Sequence, residues 1–145
     1  MHLTLVFIGD IDESSAAAVV DVMRPVINAA PFTTTFAGLG VFPPHGSPSV
    51  LWLGVGAGSQ DVVAVQRLVV SRLAPIGIAP DRRPYHPHVT LARWRKAKSA
   101  DRRIVVAADR EADVARVPVT LLTVYQSRLS SGGPAHTPLV RVAFA

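Results

Sequence analysis

The sequence predicts an α+β fold. Short apolar runs with strand character recur along the chain. Two stretches carry helical spacing. One pattern, His-apolar-Thr-apolar, occurs twice inside apolar runs, at His2-Leu3-Thr4-Leu5 and at His88-Val89-Thr90-Leu91. Two helices among several strands argue for α+β.

Residues 2–8 read as a strand. Asp12 or Ser14 caps a helix over roughly 13–29, which Pro25 kinks or breaks. Residues 32–39, with their Thr, form a strand, and 43–48 are a loop on Pro and Gly chemistry. A short apolar strand covers 50–55. Ser59 caps a second helix to about 73, with Val62, Val65, Leu68, Val69 and Leu73 at helical spacing. Residues 76–84 form a loop, and 86–92 are the strand of the second motif. The polar stretch 94–110 reads as a loop with a short strand at 104–106. Two strands, 117–129 and 138–144, are joined by the turn at 130–134. No domain boundary is visible, so 1–145 reads as one domain.

At 145 residues and 15.4 kDa the chain is long enough for a real core. Hydrophobic content of 49% with 17% charge excludes wholesale disorder. No apolar stretch suits a membrane span and no signal peptide is visible. The absence of Cys excludes disulfides, thiolate catalysis and Cys-based zinc sites, and fits a cytoplasmic protein. A monomer without membrane contact is expected. Net charge of +5 and a pI near 10.7 suit anionic partners such as RNA or nucleotides, although net charge alone fits a merely solvated surface better; the positions of the cations are more pointed. They cluster in Arg93-Trp94-Arg95-Lys96-Ala97-Lys98 and Arg102-Arg103. That stretch reads equally as a phosphate-binding rim or as a surface loop.

Strand side chains alternate between faces, so His2 and Thr4 share one face, as do His88 and Thr90. A His exchanges a proton near neutral pH, and a Thr hydroxyl two residues on can hold an anionic oxygen. One His-x-Thr is weak evidence. Two copies about one cleft supply a base and an acid on opposite sides of a phosphodiester.

The flanks sharpen this. His2-Leu3-Thr4-Leu5-Val6-Phe7-Ile8-Gly9-Asp10 and Arg83-Pro84-Tyr85-His86-Pro87-His88-Val89-Thr90-Leu91-Ala92-Arg93 resemble the signatures of the two-histidine phosphoesterases, in the LigT-like branch of RNA 2′,3′-cyclic phosphodiesterases, also called 2′-5′ RNA ligases. Pro31-Phe32, Gly38 to Pro43, Val50 to Val55, Leu122 to Leu129 and Gly133-Pro134 are similar to the family in order and spacing. The resemblance implies two lobes related by a pseudo-two-fold, each with an antiparallel sheet and outer helices, and a central cleft. By the same resemblance the chain lacks the usual N-terminal strand and helix.

The activity so implied is hydrolysis of RNA 2′,3′-cyclic phosphate ends, or of small cyclic nucleotides, to a 2′-phosphate. His2 is then the proton donor and His88 the proton acceptor. Thr4 and Thr90 hold the non-bridging oxygens. The scheme needs no metal or other cofactor, and its reversal joins a cyclic end to a 5′-hydroxyl. Arg93 is expected to steer phosphate, and Tyr85 and Phe42 to stack a base; Trp52 could join them, but in an apolar strand core packing is the favoured reading for it. His86 reads as a neighbour of the site, His45 as solvated, and His136 as stacking or inert. Two alternatives remain at this level: a metallohydrolase using His2, His86 and His88, and a non-catalytic RNA or nucleotide binder.

Overall fold

The fold is taken from a computed structural model, which describes residues 2–79, 83–109, 112–130 and 133–145. Among the described residues, three α-helices and six strands run in the order α1 (Glu13–Met23), β1 (Phe32–Phe42), β2 (Val50–Val55), α2 (Ser59–Leu73), β3 (His88–Arg93), α3 (Asp101–Ala108), β4 (Ala115–Val119), β5 (Leu121–Ser130) and β6 (Gly133–Ala143). The fold is α+β. The chain separates into two compact units, each assembled from discontinuous segments.

The first unit comprises Met1–Leu5, Thr33–Val63 and Arg83–Pro118. Its sheet has strand order β3-β2-β1-β4. Val41, Val50, Val62, Val89 and Val105 are buried in it. A turn leads from β2 toward α2, and two buried threonines hold it. Thr34 Oγ1 donates to Ala57 O at 3.0 Å, and Ala57 N donates to Thr35 Oγ1 at 3.0 Å. Gly58 sits in that turn at φ 79°, with Thr33 O only 2.6 Å from where a Cβ would stand. Glycine alone meets both conditions.

Leu3 forms an isolated antiparallel bridge with Val89. The strand expected over 2–8 reduces to that bridge, because its other residues form no further ladder. The stretch 104–106 is helical within α3, not a strand. Its three β-branched residues suggest a strand, but only Val105 is buried. Ile104 and Val106 are 66% and 68% exposed. That triplet alone would suit a strand, but over the whole element the less exposed residues are Asp101, Arg102 and Val105, at helical spacing, and the Asp101 carboxylate accepts from Lys98 N at 2.9 Å where the helix begins.

The second unit comprises Val6–Phe32, Ala64–Arg82 and Val119–Ala145. Its core contains Val19, Met23, Ile27, Val65, Val69, Leu73, Leu122, Val142 and Phe144. Asp12 caps α1, accepting from Ser15 N at 2.7 Å and from Ser14 Oγ at 3.0 Å. Those hydrogen bonds, led by the Ser15 backbone N–H, hold its carboxyl below the usual range. The helix expected to reach residue 29 ends at Met23, just ahead of Pro25, which has no N–H to continue it. Ile27 then pairs with Phe144, donating to Ala143 O at 3.0 Å. The Arg72 guanidinium donates to Pro25 O and Val26 O. In α2, Leu68 is 36% exposed although it keeps the helical spacing.

The expected strand 117–129 is two strands. β4 ends at Val119 at the edge of the first sheet, the position in a sheet where a proline such as Pro118 is tolerated. β5 begins at Leu121 and pairs with β6 in a separate hairpin. β6 begins five residues earlier than expected. Pro138 fits inside it because the register shifts between Val124 and Tyr125, beside that proline. Within the expected turn, Ser131 and Gly132 lie outside the described residues, as does Pro80 of the expected loop 76–84.

Candidate active site

β3 brings the second motif to the outer strand of the first sheet, beside β2. Trp52 pairs with Thr90 and Gly54 with His88, so these four residues share one face. Trp52 also pairs with Gly40 on β1. Its indole fills the space above that glycine, with ring carbons 2.1–2.5 Å from where a Cβ would stand.

Leu3 opposite Val89 sets the flanking residues crosswise. Continued by one residue either way, the register places His2 toward Thr90 and Thr4 toward His88. Both motifs thus address the same face, and Leu3 and Val89 the other. Tyr85 fixes this approach by donating its hydroxyl to Thr4 O at 3.0 Å. Burial pushes the pKa of that hydroxyl up, so it remains a donor.

His88 Nδ1 lies 2.7 Å from His86 O. A carbonyl oxygen only accepts, so Nδ1 carries the proton and Nε2 of the neutral ring is left as a base. Phe42, Trp52 and His86 surround this imidazole. Ring centroids lie 5.1 Å from Phe42 to His88, 4.7 Å from Trp52 to His86, and 6.2 Å from His86 to His88. Burial, and then the neighbouring His88, lower the pKa of His86. Trp52 Nε1 is buried with no hydrogen-bond partner among the described residues.

Arg93 reaches the site face through an irregularity. The β2–β3 register shifts between Leu51 and Trp52, leaving Leu91 without a partner and pairing Arg93 with Val50. Val50 shares its face with Trp52, so Arg93 joins His88 and Thr90. Strict alternation from Thr90 would have turned Arg93 away.

The residues expected of the site, His2, Thr4, Tyr85, His88, Thr90 and Arg93, all lie in the first unit, and the register of β3 sets His88, Thr90 and Arg93 on one face. His45 is exposed and stands apart from the aromatic cluster. His136 belongs to the other unit, where its Nδ1 lies 2.7 Å from Ser127 Oγ and its ring packs against Tyr125. Sequence reasoning undervalued Trp52, which is half-buried on the site face and not in the core. Gly40 opposite it was the available signal: a glycine across from an indole leaves room for the ring. Among the described residues, no three His, Asp or Glu side chains are grouped as metal ligands. No helix among them is long and apolar enough to cross a membrane.

Comparison with known proteins places these features in a family. The sequence profile of the 2′-5′ RNA ligase superfamily matches residues 1–130. The RNA 2′,3′-cyclic phosphodiesterase of Aeropyrum pernix is 32% identical over 145 residues, covering 99% of this chain and 82% of that protein. The RNA 2′,3′-cyclic phosphodiesterase of Aquifex aeolicus is 33% identical over 142 residues, covering 94% of this chain and 74% of that one. The structure of Escherichia coli LigT complexed with 3′-AMP aligns with a TM-score of 0.75 at 27% identity, over 99% of this chain and 76% of that chain. A Thermus thermophilus protein, TT0787, shares the fold at 24% identity and a TM-score of 0.77, over 99% of this chain and 77% of that chain. With a profile match over most of its length and relatives above 30% identity, this chain belongs to the 2′-5′ RNA ligase superfamily.

Proposed function

We propose that this chain, as one phosphoesterase domain over residues 1–145, is an RNA 2′,3′-cyclic phosphodiesterase that works by two-histidine acid–base catalysis without a metal. The tautomer of His88 carries this reading. With Nδ1–H held by His86 O, Nε2 takes the proton of the attacking water. His2 gives a proton to the departing ribose oxygen, and a 2′-phosphate is left. Thr4 and Thr90 donate to the non-bridging oxygens as charge gathers there, and Arg93 attracts the anion. The crosswise register of Leu3 and Val89 supports both motifs acting on one phosphate. Run in reverse, the same groups join a cyclic end to a 5′-hydroxyl. The reading includes a monomeric, cytoplasmic enzyme.

The test is incubation in EDTA with an RNA oligonucleotide ending in a 2′,3′-cyclic phosphate, with the product identified. A 2′-phosphate that is lost in both His2→Ala and His88→Ala is expected. Turnover that stops in EDTA and returns with a divalent cation would overturn the metal-free scheme. Turnover that survives both substitutions would overturn the assignment of the histidines.

A further inference from the structure

The eleven residues from Arg93 to Arg103 carry as much net charge as the whole chain. They hold six Lys and Arg against one acid, Asp101, for a net +5. The unit containing both His-x-Thr motifs has nine basic against five acidic residues, whereas the other has six against five. The excess is thus concentrated in the unit that carries the chemistry.

The segment is held in place by its own polar groups. Trp94 N donates to Ser49 O at 3.0 Å. The Asp101 carboxylate is occupied by Lys98 N. Arg102 is spent on the loop after β1, donating to Pro43 O at 2.8 Å and to Gly46 O at 2.9 Å. The remaining cations, Arg93, Arg95, Lys96, Lys98 and Arg103, are exposed, and none is ion-paired among the described residues. Neighbouring like charges without counterions repel one another, and a bound polyanion relieves that repulsion. One phosphate occupies one or two such groups. Five cations spread along a loop and a helix match a chain of phosphates.

Arg93 is also the link to the reaction, since its register places it on the face of His88 and Thr90. The chain runs from it directly into Arg95 and Lys96. We propose that residues 95–103 bind the phosphodiester backbone upstream of the cyclic end, so that the enzyme prefers oligonucleotides to cyclic mononucleotides. The inference rests on the phosphodiesterase reading only for what happens at the histidines.

The test uses the full chain and the triple variant Arg95→Gln/Lys96→Gln/Lys98→Gln. Binding of a fluorescent RNA 10-mer ending in a 3′-phosphate is followed by anisotropy across a salt series, beside hydrolysis of a 2′,3′-cyclic mononucleotide. The variant should bind the 10-mer at least about tenfold more weakly at low salt. Its salt slope should be shallower by about 2, since each single-strand phosphate contact contributes about 0.7. Mononucleotide hydrolysis should stay within about twofold, which also reports an intact fold. Unchanged affinity and slope overturn the proposal. So does a loss of mononucleotide hydrolysis equal to the loss of RNA affinity, because the residues would then act on the site itself. If the parent hydrolyses neither a cyclic mononucleotide nor a 10-mer ending in a 2′,3′-cyclic phosphate while the variant still loses RNA affinity, the backbone track stands and the phosphodiesterase reading fails.

Discussion

The Nδ1 of His88 faces the main-chain oxygen of His86 at 2.7 Å, so the backbone two residues earlier sets the tautomer of the imidazole. No side chain is needed for this, and substitution of the His86 ring leaves the contact in place. A base oriented by backbone should therefore depend on its own ring. His88→Ala should lower kcat/KM by roughly 10²–10⁴, the range for one positioned acid–base group. His2→Ala should do the same, and the double variant should lose much less than the product of the two. In the parent, kcat/KM against pH should be bell-shaped, because the proposed scheme needs one histidine neutral and the other charged. A profile with a single limb would remove one of them from the reaction.

The His86 ring gives a separate pH signature, in stability. Its folded pKa is lowered, first by burial and then by the charge of His88, so protonation favours the unfolded chain. The stability due to neutral His86 is fully present above the unfolded value of 6.5 and falls away as pH drops through the lower folded value. Thermal midpoints of the parent and His86→Gln should diverge little in slope above about pH 7. Below about pH 6.5 the parent should fall more steeply. Parallel curves over that range would remove the effect.

Tyr85 and Thr4 are joined by one hydrogen bond, and Tyr85→Phe removes only that bond. The expected cost is about 1 kcal/mol in denaturant unfolding. Because the bond holds the segment carrying His2, kcat should fall by more than the loss of stability alone explains, with KM less affected. Unchanged kcat would show that the first motif is held by other contacts.

Gly40 has room for no Cβ, since the Trp52 ring lies 2.1–2.5 Å from that position. Gly40→Ala must displace the indole and should destabilise by about 1–3 kcal/mol, typical of overpacking. The displaced ring would disturb Phe42, His86 and His88 together, so activity should fall as well. Trp52→Leu in the same chain should recover part of the lost stability, by coupling between contacting residues. Additive losses in the double variant would count against the clash.

The legible parts of this chain were those where one signal decided the structure. β2 and α2 matched their expected bounds because an apolar run and a 3.6-residue period need no outside help. The face of the second His-x-Thr motif was readable for the same reason, since period 2 fixes it along β3. What failed depended on tertiary context. Residues 2–8 have strand composition yet form only one bridge, at Leu3. The apolar triplet 104–106 alternates in exposure as a strand would, and only the wider run Asp101–Ala108 shows it to be helical. The register shift at Leu91 left no local mark, so the face of Arg93 was not readable from alternation.

That shift has a consequence for spacing. Arg93 is five residues from His88 in the chain, but in the ladder it is four, because Leu91 takes no rung. Gly54, Trp52 and Val50 therefore act as an evenly ruled scale against which His88, Thr90 and Arg93 are set off, at steps of about 6.6 Å. An imidazole, a hydroxyl and a guanidinium stand at equal intervals along one edge. Leu91 is then the one residue of β3 whose deletion would leave that ruler intact, whereas one residue inserted opposite it in β2 would turn Arg93 to the other side of the sheet.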